Sequence, residues 1–410
     1  MSEANILSSN IGVASKDSSL TKIDKVELHE FQFEASNLGL SANTNSIGGL
    51  SFEKGAKTLI TKYAVEIFTE DGCKGSYVLN WGASPSVFGQ MQMLAPMLIG
   101  CEAEERTGIF ENLKREARQF DHMGHGPLDI ALWDWQGHSL NCSISTLLGG
   151  HRKSLPAYAS TYHGDRNGGL DSKEAFGEFA LQCKEMGYKA FKIHGWHEGN
   201  AKEEAELVLH VRKVVGDDMA LMLDPACELR TFADALYVGR ACDEAGYFWF
   251  EDPYRDSGVS AFGHRKLREM LKTPILQTEH IRGVEPKADF LIAGGTDFLR
   301  SDPEYDLGIT GCMKIHHLAE SLGVDVEVHA CGPAHRHLIG MSRNSNYYEV
   351  ALVGPDCPNA VAPVYLCDYS DQIDCIDENG KVNVPDGVGL GVSYDWDFIK
   401  ANRRDHIIFD

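Results

Sequence analysis

From residue 151 to about 364, short apolar runs alternate with stretches of helical periodicity. The runs occupy 156–162 (PAYASTY), 188–194 (YKAFKIH), 219–225 (MALMLDP), 247–251 (YFWFE), 274–279 (PILQTE), the DFLRS region that leads to Asp302, 324–329 (VDVEVH) and 347–352 (YYEVAL). Between them, 3.6-residue periodicity predicts helices at Lys173–Met186, Ala201–Val215, Ala233–Ala245 and Gly311–Ser321. Strands that are apolar on both faces and strictly interleaved with helices imply a buried parallel sheet. Eight such units imply closure into a (β/α) barrel. An open doubly wound sheet is the alternative, but no GxGxxG follows the first run.

Before residue 150 the pattern differs. Alternation around Lys25–Phe31 and Tyr63–Phe68 predicts antiparallel strands, the second ending at the turn signal Glu70-Asp71-Gly72. Helical periodicity then runs from about Pro85 to Leu148 and stops at Gly149-Gly150. The reading is α/β: a flexible leader over 1–22, an α+β capping domain over 23–150, a barrel over 151–364, and a tail over 365–410. The tail carries the turn signal DENG, no further βα unit, and is expected to return to the capping domain.

A chain of 410 residues is long for one compact unit, which agrees with this division. The net charge of −22 argues against nucleic acid or an anionic membrane surface as a partner. A small anionic substrate would need a local positive site, which a bound divalent cation supplies. No long apolar span or secretory start is visible, so the expectation is a cytoplasmic protein. The 11 cysteines include no CxxC pair and read as reduced thiols.

The ends of the runs carry the chemistry. Run two ends in Lys192-Ile193-His194, and the next ones in Asp224, Glu251, Glu279, near Asp302, and in His329, while the eighth holds Glu349. Buried strand ends avoid ionisable groups unless these are paired or bound to metal. Asp224 to Glu251 is 27 residues, Glu251 to Glu279 is 28 and Asp302 to His329 is 27, one βα repeat each, so the groups should converge. Three adjacent carboxylates repel without a cation, and an all-oxygen set suits Mg²⁺ better than zinc.

LMLDP, FWFEDP and QTEH, with KIH before them and Asp302 and VHACGPAH after them, resemble the ordered motifs of the enolase superfamily, most closely its mandelate racemase-like branch. GPLDIALWDWQGHSLNCSISTLLGG (126–150) resembles that family's junction between capping domain and barrel. The resemblance spans roughly residues 24 to 400. It implies Asp224, Glu251 and Glu279 as magnesium ligands, Asp302 with His329 as an acid/base dyad, and Glu349 as a residue that holds substrate or stabilises an enolate. It also implies a symmetric homo-oligomer, and a capping loop over about Phe33 to Gly49, with Asn43 and Asn45 among its residues.

Period-two geometry puts Lys192 and His194 on one face of their strand, pointing into the barrel. Lys192 is assigned to the substrate carboxylate. His194 departs from the lysine often found in that branch, and is a candidate base with His329 as acid; the reverse assignment stays open. His197, His280, His335 and His337 read as loop or supporting residues, and Trp196 as part of the site mouth. The expected reaction is dehydration of a sugar acid (aldonate or aldarate) to a 2-keto-3-deoxy acid in carbohydrate catabolism, with racemisation or epimerisation of a 2-hydroxy acid as the alternative. A zinc hydrolase would need an HxH in the first run, which reads YASTYHGD, and a non-catalytic binding barrel would have lost part of this set.

Overall fold

The structure is a computed structural model that describes residues 21–40, 50–81, 84–164, 166, 169–256, 258–355 and 360–410. The expected leader falls, except for its last two residues, outside the described residues, as do Asn43 and Asn45.

The capping unit is built on a long hairpin, β1 (Ile23–Leu40) and β2 (Leu50–Thr69). The Glu70-Asp71-Gly72 turn leads into β3 (Lys74–Val78). The predicted helical stretch is broken into four helices, α1 (Pro85–Leu94), α2 (Arg106–Glu116), α3 (His125–Leu140) and α4 (Ile144–Leu147). α3 is buried almost all round, and its Trp135 indole donates to Thr69 Oγ1 at 2.9 Å, fastening the helix layer to the sheet.

The barrel strands follow as read: β4 (Ser154–Thr161), β5 (Ala190–Ile193), β6 (Ala220–Leu223), β7 (Trp249–Glu251), β8 (Ile275–Gln277), β9 (Phe298–Ser301), β10 (Val326–Val328) and β11 (Tyr348–Val353). The helices between them are α5 (Lys173–Met186), α6 (Ala201–Val215), α7 (Phe232–Ala245), α8 (Ala261–Arg268), α9 (Val284–Ile292), α10 (Gly308–Ser321) and α11 (Pro333–Met341). Their starts follow local chemistry. Ser172 caps α5, Asn200 caps α6, and a Thr231/Asp234 capping box opens α7. The sheet order is β10-β9-β8-β7-β6-β5-β4-β11, with parallel pairing at every step.

The last gap, between β10 and β11, is bridged by carboxylates. Glu327 accepts from the backbone N–H groups of Asn346 (3.2 Å) and Tyr347 (3.3 Å), and Glu349 accepts from Ala330 N–H at 2.7 Å. Side chains thus supply the acceptors that a ladder would have supplied.

The tail has two attachments. β12 (Lys381–Asn383) pairs antiparallel with the start of β4, and after α12 (Trp396–Ala401) the last strand, β13 (Arg403–Phe409), pairs with β1. The capping sheet is therefore β13-β1-β2-β3, completed by the C-terminal strand as expected. The far half of the hairpin, through Ala35, Leu38 and Ile60, packs on Tyr162, Ala351 and Leu352, so the cap lies against the carboxyl ends of β4 and β11. Among the described residues no helix is long and apolar enough to cross a membrane, and the ten cysteines are free thiols.

Candidate active site

The strand ends converge as the repeat spacing predicts. One carboxylate oxygen each from Asp224, Glu251 and Glu279 lies within 4.8 Å of the other two. Asp224 and Glu251 are 4% and 0% exposed, so their charge must be met from within. Lys192 meets part of it. Its ammonium stands 3.0 Å from Glu251, 3.3 Å from Asp224 and 3.1 Å from Glu349. Burial opposes the charged ammonium, but Glu251 and Glu349 outweigh it and hold Lys192 well above the ordinary lysine range. Lys192 is a permanent cation here.

The second internal cation, Arg300, was not singled out in the sequence. Its Nε is 2.7 Å from Glu251 Oε1, and its Nη2 is 2.8 Å from Glu349 Oε2 and 3.2 Å from the Tyr158 hydroxyl. A usable signal existed: Arg300 is two residues before Asp302, hence on the same inward face.

On the far side, His329 Nδ1 lies 2.6 Å from Asp302 Oδ2, and the other Asp302 oxygen accepts from Glu304 N–H at 2.7 Å. With Nδ1–H donating, Nε2 points inward, 3.4 Å from Glu279 Oε1. Burial lowers the His329 pKa, but Glu279 and Asp302 more than compensate and raise it. The dyad from β9 and β10 and the Lys192/His194 end of β5 stand three strands apart by way of β11 and five by way of β6, nearly opposite. His194 Nε2 is 3.1 Å from Asp224 Oδ2.

Glu349, 1% exposed, has both oxygens engaged by Lys192 and Arg300. Of the histidines read as supporting residues, His280, His197 and His337 have partners of their own, and His335 makes no hydrogen bond at either ring nitrogen. His280 pairs with Asp252 at 3.0 Å, and His197 stacks on His163. His335 is fully buried 3.9 Å from Asp302, and His337 accepts from Ser145 N–H at 3.1 Å. Trp196 donates to the Leu170 carbonyl at 2.7 Å.

The cap reaches the site through residues that local patterning could not reveal. The Trp81 ring stands edge-on to His329, 6.0 Å between centroids, and Glu304 anchors Trp81 N–H (3.0 Å), Asn80 N–H (2.7 Å) and the Tyr77 hydroxyl (2.6 Å). Beside them Lys62 donates to the Asn80 carbonyl, and burial brings its pKa down to about 8.

Non-glycine residues in the left-handed backbone region accompany these strand ends: Ala226 (φ 48°), Asp252 (φ 38°), Thr278 (φ 90°) and Ala330 (φ 62°). Each flanks Asp224, Glu251, Glu279 or His329 by one or two positions. Such conformations cost on the order of 1–3 kcal/mol apiece and persist where the fold imposes them, commonly at working sites.

The charge inventory states what the site would hold. Four buried carboxylates (Asp224, Glu251, Asp302, Glu349) and the partly exposed Glu279 face two fixed cations (Lys192, Arg300). Burial pushes the Glu251 carboxyl up to about 8 in spite of Arg300 and Lys192, with Asp224 and Glu279 adding to the rise. This excess of negative charge on hard oxygen donors fits a divalent cation of the magnesium kind.

Comparisons with known proteins agree with this geometry. Residues 175–398 match the family described as Enolase C-terminal domain-like, and residues 56–149 match the Mandelate racemase / muconate lactonizing enzyme, N-terminal domain. An arabinonate dehydratase of Saccharolobus solfataricus is 26% identical over 80% of this chain and 87% of its own. A D-galactarolactone cycloisomerase of Agrobacterium fabrum is 28% identical over 83% and 90%. The solved structure of D-glucarate dehydratase from Agrobacterium tumefaciens, complexed with magnesium, superposes with a TM-score of 0.82 at 27% identity, covering 94% of this chain and 100% of that one.

Proposed function

The chain belongs to the enolase superfamily, in its mandelate racemase-like branch, and on that premise we propose that it is a Mg²⁺-dependent acid-sugar dehydratase, a hydro-lyase acting on an aldonate or aldarate. The observation that carries the reading is the meeting of Asp224, Glu251 and Glu279 between the His329–Asp302 dyad, whose Nε2 is 3.4 Å from Glu279, and the buried Lys192 ammonium, 3.0 Å from Glu251.

A proton next to a carboxylate is very weakly acidic, and its removal leaves a dianionic enediolate. Magnesium bound by Asp224, Glu251 and Glu279 would supply the positive charge that this reaction needs. The chain's own residues do the rest. Lys192, held protonated by Glu251 and Glu349, serves the substrate carboxylate as an electrophile and has no free pair to act as base. Glu349 keeps Lys192 and Arg300 in place. His329, with its tautomer fixed by Asp302, presents Nε2 to the substrate and gives its proton to the departing β-hydroxyl, while His194 takes the α-proton from the other side. The cap hairpin and Trp81 exclude water.

A racemase or epimerase would share the first half-reaction and return the proton from the opposite histidine. The two are separated by incubating the protein with mono- and di-acid sugars and Mg²⁺. Keto-acid formation supports dehydration; solvent deuterium at the α-carbon with inverted configuration and no keto acid replaces it with the second reading. Turnover indifferent to removal of divalent ions would sink both.

A further inference from the structure

Remote from the barrel mouth, the capping sheet carries a second cluster of metal-competent side chains that the proposed reaction does not use. His29 on β1 stands directly opposite His406 on β13, and Glu27, two residues earlier and so on the same face, stands opposite Glu66 on β2. Like charges facing each other across a ladder destabilise it unless a cation intervenes. Exposed lysines answer half of this demand. Lys25 takes Glu27 Oε1 and Lys74 takes Glu66 Oε1, both at 2.7 Å. The other oxygens turn inward. Glu27 Oε2 is 2.8 Å from His406 Nε2 and 3.9 Å from His29 Nε2, and Glu66 Oε2 is 3.4 Å from that same His29 nitrogen.

His29 is the telling residue. It is fully buried, stacked on His406 at 4.6 Å and covered by Trp396 at 5.5 Å, and neither of its ring nitrogens makes a hydrogen bond. A buried imidazole without a hydrogen bond is costly unless something else uses its lone pair. One donor atom each from Glu27, His29 and His406 lies within 4.8 Å of the other two. Adjacent donors on a tetrahedral zinc, with bonds of about 2.0–2.1 Å, sit roughly 3.3 Å apart, so closing the set around one ion needs the donors to draw together and the two rings, now 14° from parallel, to turn until both lone pairs converge.

We propose that Glu27, His29 and His406 form a second metal site, selective for a zinc-class divalent ion, that fastens the C-terminal strand β13 to β1. Two imidazoles and one carboxylate, with Glu66 adding negative charge beside them, favour a borderline metal over magnesium. Each imidazole must bind through an unprotonated nitrogen, so occupancy falls in acid. The ion would seat between strands whose sequence positions lie at opposite ends of the chain, and its readout is stability of the cap.

The test uses the full chain, stripped with chelator and kept in excess Mg²⁺ so that the barrel centre holds its preferred ion, then titrated with Zn²⁺ and followed by bound-metal analysis and thermal denaturation. The expected result is one zinc per chain and a higher Tm in the wild type and in Glu251→Gln, with loss of that zinc and of the Tm rise in His406→Gln and in Glu27→Gln. His406 is on an edge strand and partly exposed, so its replacement leaves the fold and the Mg²⁺-dependent turnover in place. Co²⁺ substituted for zinc should give visible bands in the wild type that vanish in His406→Gln. Zinc binding unchanged in His406→Gln, or abolished only by Glu251→Gln, would overturn the proposal, as would a wild type that binds no zinc in the presence of Mg²⁺.

Discussion

Two clusters in this molecule gather carboxylates on neighbouring strands, and they manage that charge in different ways. In the barrel, Asp224, Glu251 and Glu349 are sealed from water, with Glu279 partly exposed beside them, and the cations that answer them, Lys192 and Arg300, are sealed with them. On the capping sheet, Glu27 and Glu66 keep one oxygen each on a lysine that reaches solvent, and only the inner oxygens meet imidazole. The barrel arrangement is costly in the absence of a further cation, and on the cap the lysines meet only the outer oxygens and leave the inner ones to the imidazoles. Donor type then separates the metals, oxygen alone in the barrel and nitrogen with oxygen on the cap.

The largest effect should come from breaking the barrel cluster. Glu251→Gln is expected to abolish Mg²⁺-dependent turnover with the far-UV CD spectrum unchanged; retained activity would remove the ligand assignment. Next, His329→Asn should slow dehydration by ~10²–10⁴-fold, with α-proton exchange into D₂O surviving where His194 abstracts. Arg300→Met tests the sealed cations as structure. It leaves Glu251 and Glu349 short of a partner and should cost about 3–5 kcal/mol, read by denaturant unfolding.

A subtler contrast lies in pH. Burial lifts Glu251 to about 8 and Glu327 to about 7, so their contribution to stability is whole below the ordinary carboxylate range and is lost as pH rises toward those values. Burial also opposes the charge on Glu27 and Glu66, but Lys25 and His406 for the first, and His29 and Lys74 for the second, hold both below the ordinary range. Their contribution is present above that range and is lost on acidification. In metal-free protein, Glu327→Gln should therefore flatten the fall of Tm between about pH 4.5 and 7, and Glu66→Gln should flatten the fall on the acid side. The smallest change is expected from His406→Gln without zinc, under about 1 kcal/mol for a partly exposed pair on an edge strand.

The barrel was legible because its information is periodic. Each strand is a short apolar run, each helix has a stripe and a cap, and the acids recur at the repeat length. Arg300 was passed over because an arginine in an apolar strand has no marker until its partners from β7 and β11 are in view. The contacts of Glu304 with Tyr77, Asn80 and Trp81 join positions more than 220 residues apart, and nothing local announces them. The same holds for His29 and His406. The tail was expected to return to the cap, but no strand was read within it and nothing announced that two histidines would face each other there. The breaks within the Pro85–Leu148 stretch were also invisible to periodicity, since α3 is buried nearly all round, Asp129 and Asp134 included, and carries little stripe.

The carboxylates that span the gap between β10 and β11 give the folding of this chain a built-in inspection. Glu349 travels on the last barrel strand to be synthesised, and it arrives carrying both the latch for Ala330 and the counter-charge for Lys192 and Arg300. Until that strand docks, the Lys192 ammonium and the Arg300 guanidinium lack a carboxylate they share. A chain that stops short of β11 thus lacks, along with a wall of the barrel, a carboxylate that both buried cations pair with.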